Sequence, residues 1–324
     1  MSMAPVPKIG AFRRILAVRD FGVLVAALLI ALFFSIASPV FLTSYNLFNL
    51  LRQTAQLGII AMAMTLLIVS GEFDLSVGAI YAVTGVVTGI LSSRLGVPIW
   101  LAALAGLTSG LFLGFLNGLL IATTRINSFI ATLSTMMVYR GIALVLSQGQ
   151  PISFQLSFFM DLFGRGEIGG VVPIPVLWVL VWGLGMYFVL HRTTFGVKVF
   201  ATGDSRQAAD LAGIKTMRVK WVCFLITSLA AGISAVISLS FLKTVTPTQG
   251  TGIELEAIAA SVIGGTAMSG GVGSILGTFI GTFIMAEVRT GLVLMGTDAY
   301  IQDAFVGLVI ALAVIVNVRL SRRK

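Results

Sequence analysis

Long apolar runs, separated only by short polar stretches, constrain this chain more than any other feature of its sequence. A helix that crosses the hydrocarbon core of a bilayer needs about 20 mostly apolar residues. About ten runs approach or exceed that length. Charged residues make up only 10% of the 324 residues, too few to cover the surface of a soluble domain. The sequence therefore predicts an all-α polytopic membrane protein and excludes a soluble enzyme, a disordered chain and a disulfide scaffold.

The predicted spans cover most of the chain, which we interpret as a single transmembrane domain over residues 1–324. An uncleaved first helix is favoured over a signal peptide, because more apolar runs follow it directly. Two spans are short and interrupted by glycine, and we expect broken or re-entrant helices there. These two are 75–92 and 254–268. The others are 21–38, 48–70, 98–122, 128–146, 174–190, 219–241, 271–292 and 303–319.

Basic residues are distributed unevenly between the two sides that ten alternating spans would create. Fifteen lysines and arginines fall on the side of the N-terminus, and three fall on the other side. Such residues concentrate in cytoplasmic loops. We therefore expect both termini and the segment 191–218 to be cytoplasmic. The net charge of +9 follows from this asymmetry and gives no reason to expect nucleic acid as a partner.

A weak internal repeat relates two parts of the chain. The segment 71–75 (GEFDL) resembles 252–255 (GIEL), and 110–114 (GLFLG) resembles 277–281 (GTFIG). Five predicted spans separate the copies, so the second copy is inverted in the membrane. Inverted repeats with interrupted helices are typical of transporters. Chance likeness between glycine-rich helices is the alternative. The predicted repeat halves are 48–146 and 219–319.

Acidic and polar residues beside the two short spans are candidates to line a translocation pathway. Ionisable groups at membrane depth are costly and usually functional. Two of these residues, Asp74 and Ser76, are also placed to cap the helix that follows them, and the two roles are compatible. Asn117 fits a hydrogen bond to a neighbouring helix or to a polar substrate. The candidates are Glu72, Phe73, Asp74, Ser76, Asn117, Glu254 and Glu256.

Six glycines near the short spans are predicted helix breaks: Gly71, Gly78, Gly264, Gly265, Gly270 and Gly271. The run GGVGSILG imitates a phosphate-binding loop but lacks the strand and the ribose-binding acid of a dinucleotide site. No lysine follows a glycine, so the chain has no Walker A lysine. With one histidine and one cysteine we expect no metal site. No catalytic constellation is found, and we expect the chain not to be an enzyme.

The segment Ala201–Ile214 predicts a short helix outside the membrane. Asp204 or Ser205 is a plausible N-cap, and Gly213 is a C-terminal stop. Alanines form a small-residue face that permits close packing against a partner. An ordinary polar loop with one helical turn is the alternative. The candidate residues of this partner-binding helix are Ser205, Arg206, Ala208, Ala209, Leu211 and Gly213.

Four motifs, taken in order, resemble those of permease subunits of bacterial ATP-binding-cassette importers for simple sugars, of the ribose, xylose and galactose type. They are GEFDLSVG (71–78), FIATLSTMMVYRGIALVLSQGQPI (129–152), DSRQAADLAGI (204–214) and ELEAIAASVIGGTAMSGGVGSILG (254–277). The sequence departs from the family pattern at Glu72, Phe73, Asp204-Ser205 and Glu256, where the family has Gly, Ile, Gly-Asn and Asp.

The resemblance implies a multi-pass protein of the bacterial cytoplasmic (inner) membrane that works with other subunits. A second permease copy, identical or not, would complete the pathway. A separate ATPase would bind ATP and Mg, with no cofactor in this chain, and a sugar-binding protein would deliver substrate from outside. The helix 205–213 would sit in a groove of the ATPase.

Two alternatives stay open at this point. One is a permease of the same class for nucleosides or branched-chain amino acids. The other is a secondary transporter coupled to protons or sodium, with Glu72, Asp74 and Glu254 as ion sites.

Overall fold

The computed structural model describes residues 19–155 and 157–321 of the chain. Thirteen helices are found in these ranges: α1 (Arg19–Ala37), α2 (Ser44–Val69), α3 (Val77–Gly89), α4 (Ile99–Thr124), α5 (Ser128–Ser147), α6 (Phe158–Met160), α7 (Ile174–Arg192), α8 (Thr194–Asp204), α9 (Arg206–Leu211), α10 (Thr216–Leu242), α11 (Ile253–Ile263), α12 (Ile275–Leu294) and α13 (Ala299–Ser321). Two π turns, Ile90–Arg94 and Asp161–Arg165, follow α3 and α6.

Four two-residue strands form two small antiparallel pairs. β1 (Ile152–Ser153) pairs with β4 (Thr244–Val245), and β2 (Glu167–Ile168) pairs with β3 (Val172–Pro173). The first pair ties the segment after α5 to the end of α10. The fold class is therefore the predicted one, an almost entirely helical membrane protein.

Seven helices in the described part of the chain are long and apolar enough to cross a membrane: α2, α3 with its π turn, α4, α5, α7, α10 and α12. The short span predicted over 254–268 is represented by α11, which has only 11 residues. At 1.5 Å per residue it is about 16 Å long, roughly half of a 30 Å hydrocarbon core. The span near 75–92 differs, because the π turn extends α3 to 18 residues. Ten spans in total stays a prediction.

The central helices are α2, α3, α10 and α12, which are largely buried inside the molecule. By contrast, α4, α5 and α7 are mostly unburied, and each exposes several large apolar side chains. A helix that is apolar all round is buried in protein or faces lipid. The exposed apolar faces of α4, α5 and α7 are therefore the surface that lipid or another membrane chain would cover.

The two ends of the bundle carry different charge. At one end, which we call the basic end, the C-terminus of α4 and the segment from α8 to the start of α10 carry Arg125, Lys198, Arg206, Lys215 and Arg218. The 70–76 break also lies here, because Phe73 N–H donates to Ser128 Oγ at 3.1 Å and the backbone N–H of Gly271 donates to Val69 O at 2.9 Å. Arg94, Arg165 and Lys243 lie at the opposite end.

Candidate translocation pathway and coupling segment

A cavity of about 700 Å³ and a second of about 320 Å³ open at the end of the bundle opposite the basic end. They share four lining residues, Gln53, Gln56, Leu242 and Arg289, and so adjoin each other. We call the two cavities together the outer vestibule, where outer means only the end away from the basic end. Its walls come from α2, the end of α10, the loop before α11, and α12.

One polar stripe on α2 lines the outer vestibule. Asn49, Arg52, Gln53 and Gln56 recur at the i, i+3, i+4 and i+7 spacing that places side chains on one helix face. Sequence reasoning treated 48–70 as an apolar span and missed these residues. The signal was present, since four long polar side chains at helical spacing near the start of a span mark a face that avoids lipid.

The inner part of the vestibule is lined by Tyr81, Ser238 and Gln249, among others. Gln249 is held in place, because its Nε2 donates to Ser238 Oγ at 3.1 Å. The loop that carries it is clamped by Arg140, whose Nη1 donates to the carbonyl oxygens of Pro247 at 2.8 Å and Gln249 at 2.9 Å. Arg140 therefore fixes the wall of the vestibule from behind.

Charged groups in the vestibule occur in pairs. Arg289 Nη1 donates to Glu256 Oε1 at 2.6 Å. Arg52 Nη2 lies 3.6 Å from Glu167 Oε1 of strand β2, and its guanidinium carbon sits 4.9 Å from the ring centre of Phe241. The space thus presents amides, hydroxyls and balanced charge, which suits a polar ligand more than an ion.

Of the seven pathway candidates, only Glu256 lines these two cavities. Asp74, Ser76 and Asn117 belong instead to a buried network. Asp74 Oδ1 accepts from the N–H of Ser76 at 2.8 Å and from its Oγ at 2.6 Å, and Asn117 Nδ2 donates to Ser76 Oγ at 2.7 Å. The hydroxyl of Tyr139 donates to Asn117 Oδ1 at 2.9 Å. Asn117 therefore joins helices, the first of its two predicted roles.

Asp74 lies in the loop between α2 and α3, where it stabilises the start of α3. Ser76 is the N-cap position, but its own side chain makes no capping bond. The carboxylate of Asp74 supplies the acceptor instead. Burial raises the pKa of Asp74 to about 6, against the lowering effect of the hydrogen bonds from Ser76. Glu72 lies apart from this network, paired with Lys220, and Phe73 packs against the apolar core.

The break between α2 and α3 (70–76) and the loop before α11 (246–252) resemble each other locally. Gly71 and Gly252 both have φ of +86°, a conformation that favours glycine, and an acidic residue follows each by two or three positions. Glu254 Oε1 accepts from the N–H of Gly252 at 3.2 Å. One oxygen of each carboxylate, Asp74 Oδ2 and Glu254 Oε2, is buried without a hydrogen-bond partner among the described residues.

Gly78 is not a helix break, contrary to prediction. It lies inside α3, and a Cβ there would come closer than 3.0 Å to Gly250 O and to Glu254 Oε2. Gly78 is therefore needed for the close approach of the start of α3 to the loop before α11. The other predicted positions do interrupt or end helices: Gly264 caps α11, and Gly71, Gly265, Gly270 and Gly271 all have positive φ.

The candidate coupling segment, residues 191–218, contains the short helix α9. Ser205 is the N-cap, because its Oγ accepts from the N–H of Ala208 at 3.3 Å, whereas Asp204 ends α8. Gly213 has φ of +81°, and the N–H groups of Gly213 and Ile214 donate to Asp210 O and Ala209 O. This is a Schellman motif.

The predicted small-residue face of α9 needs one correction. Ala209 is buried against its own chain, because the helix packs on α8 and on the start of α10. Ala208 and Ala212 stay exposed, and Leu211 is 91% exposed. The free face of α9 is therefore formed by Ala208, Leu211 and Ala212.

In the part of the chain that the structure describes, no group of three His, Cys, Asp or Glu side chains is arranged to hold a metal ion. Cys223 is buried inside α10.

Comparisons with known proteins find similarity to transport permeases. A family model described as the branched-chain amino acid transport system / permease component matches residues 46–314. The ribose import permease protein RbsC of Escherichia coli strain K12 is 37% identical over 298 residues, 91% of this chain and 92% of that protein. RbsC of Bacillus subtilis strain 168 is 39% identical over the same shares of the two chains.

A more distant relative is the xylose transport system permease protein XylH of Escherichia coli strain K12, which is 33% identical over 98% of this chain and 97% of that protein. No solved structure matches the chain. Because the family model covers most of the sequence and these relatives align over nearly their whole length, the chain belongs to this family of membrane permeases, whose members include permease subunits of sugar importers.

Proposed function

We propose that this chain is the transmembrane subunit of an ATP-binding-cassette importer that carries a simple sugar, a pentose, hexose or related polyol, across the bacterial inner membrane. The observation that most directly supports this proposal is the outer vestibule. Gln53, Gln56, Gln249 and Tyr81 supply hydrogen-bond donors and acceptors at positions where lipid-facing helices would be apolar. Hydroxyl-rich ligands are oriented by a few such groups, and they need no unpaired charge.

The orientation of the protein follows from the charge of its two ends. The basic end would face the cytoplasm. The outer vestibule would then open to the outside, where a sugar-binding protein delivers substrate. A second permease copy would face this one and close the pathway.

The free face of α9 would contact the ATPase subunit. Its exposed residues Ala208, Leu211 and Ala212 have no partner elsewhere in the described chain that would bury them. A leucine that is 91% exposed on the basic end is costly to leave in water, and docking would cover it. ATP and Mg would be bound by that partner.

The function is tested by reconstituting the chain in vesicles with its ATPase and binding protein. Uptake of labelled ribose, arabinose and xylose is compared with uptake of leucine and uridine. We expect uptake of at least one sugar that requires internal ATP and survives dissipation of proton and sodium gradients. Uptake of leucine or uridine alone would overturn the sugar assignment. Gradient-driven uptake without ATP would overturn the importer class.

The docking role of α9 has a matched pair of variants. Leu211→Arg should abolish copurification of the ATPase while the permease stays in the membrane. Leu95→Arg, at an exposed leucine of the opposite end, should leave copurification unchanged. Equal retention of the ATPase by both variants would refute docking through this face.

A further inference from the structure

A buried ion pair joins two segments at the basic end. Lys220 Nζ donates to Glu72 Oε1, and the two side chains are only 9% and 12% exposed. Lys220 lies in the second turn of α10, and Glu72 lies in the break between α2 and α3. Two charges are taken out of water at this depth only when they satisfy each other, since either one alone would carry a large desolvation cost.

Lys220 is connected to the coupling helix. Asp210 in α9 accepts a hydrogen bond from Thr216 Oγ1 at 2.7 Å, and Thr216 is the first residue of α10. The Schellman turn at Gly213 fixes the short linker between the two helices. Lys220 follows Thr216 by four residues, about one helical turn, so the two residues lie on the same face of α10.

Glu72 is connected to the vestibule. Its segment is held by side chains of α5, because Leu75 N–H donates to Thr132 Oγ1 at 3.0 Å and Phe73 N–H to Ser128 Oγ. The same segment starts α3, whose first turn carries Gly78. That glycine packs directly against Gly250, which lines the inner part of the vestibule.

We infer that the Lys220–Glu72 ion pair transmits movement of α9 to the helix break and from there to the inner wall of the vestibule. The inference rests on the proposed function, since it requires an ATPase that acts on α9. Coupling between distant sites is carried by contiguous hydrogen bonds and ion pairs, and this pair is a charged contact between α10 and the break. Lys220 and Glu72 are positioning residues, since neither lines the two described cavities.

The experiment measures sugar taken up per ATP hydrolysed by the reconstituted importer. Glu72→Lys and Lys220→Glu alone should each lower this ratio at least tenfold, because each places two like charges together. The double exchange, Glu72→Lys with Lys220→Glu, should restore the ratio to within threefold of the unmodified protein. The exposed pair Asp161–Arg165 is the control, and its single reversals should leave the ratio unchanged.

A further double variant separates coupling from folding. Glu72→Gln with Lys220→Met removes both buried charges, a change that is often tolerated for stability. We expect normal abundance and ATPase activity but a ratio as low as in the single reversals. A normal ratio in this variant or in both reversals would overturn the inference, as would parallel loss of uptake, ATPase activity and abundance. Failure of ATP-driven uptake in the unmodified importer would refute the proposed function instead.

Discussion

Replacing Gly78 by alanine tests the contact between the start of α3 and the loop before α11. An added Cβ would lie inside 3.0 Å of Gly250 O and Glu254 Oε2, whereas ordinary contacts begin at 3.4 Å. One of these atoms belongs to the backbone, so the segments themselves must move apart. Overpacking of this kind typically costs about 1–3 kcal/mol. Alanine also gains about 1 kcal/mol over glycine inside a helix, which offsets part of that cost.

The matched control is Gly141→Ala in α5, where an added Cβ meets nothing within 4 Å. Gly141 lies inside its helix and gains the full helix propensity of alanine, whereas Gly78 is the second residue of α3 and gains less, so a difference above about 1 kcal/mol reports the overpacking. We expect Gly78→Ala to melt several degrees below Gly141→Ala, since about 1 kcal/mol corresponds to roughly 2–4 °C in domains of moderate size. The assay is thermal unfolding of the purified protein in detergent, followed by size-exclusion chromatography.

Sugar uptake by the same two variants gives a second readout. Gly78→Ala should also transport poorly, because Gly250 is part of the vestibule wall. Equal melting temperatures and equal uptake for the two variants would refute the claim that these segments must touch.

Three further predictions follow from the same geometry. Asp74→Asn keeps an acceptor oxygen for the N–H of Ser76 and should have little effect on stability or uptake, whereas Asp74→Ala should lower the free energy of unfolding by about 0.5–2 kcal/mol and remove much of the uptake. Equal loss of uptake in both variants at normal abundance would reopen the ion-coupled alternative. Burial raises the pKa of Asp74 to about 6, so the folded protein holds this proton more tightly than the unfolded chain does. The stabilising effect of Asp74 relative to Asn should therefore be greatest below about pH 4 and fall as the pH rises through 6. Melting both proteins across that pH range measures the effect. In a Cys223→Ser background, an impermeant thiol reagent added outside intact cells should label a cysteine at the exposed Val171 but not one at Leu211, and the reverse pattern would invert the topology.

Much of the coupling segment was readable from local sequence. Capping depends on residues within a few positions of each other, and so Ser205 and Gly213 mark the ends of α9 without reference to the rest of the molecule. The small-residue face was only partly right, because burial of Ala209 depends on how α9 packs against α8 and α10.

The residues that line the pathway, by contrast, were poorly predicted from local sequence. Acidic residues near glycine were chosen because charge at membrane depth is costly, yet Asp74 and Asn117 make their bonds within the protein. The residues that line the vestibule, such as Gln53 and Gln249, come from segments far apart in sequence. Local pattern contains no information about which distant segment a polar side chain will face.

The sequence by itself determined that the chain folds in a membrane, that it is helical, and that helices are interrupted at Gly71, Gly264 and Gly265. These depend on the length of apolar runs and on glycine, and both act locally. Only the tertiary structure decided what the breaks do. Gly78 must lack a side chain because another segment occupies that space, and Glu72 can be buried because Lys220, 148 residues away, neutralises it. Close approach and charge pairing are properties of two segments together, so they are defined only once the chain is folded.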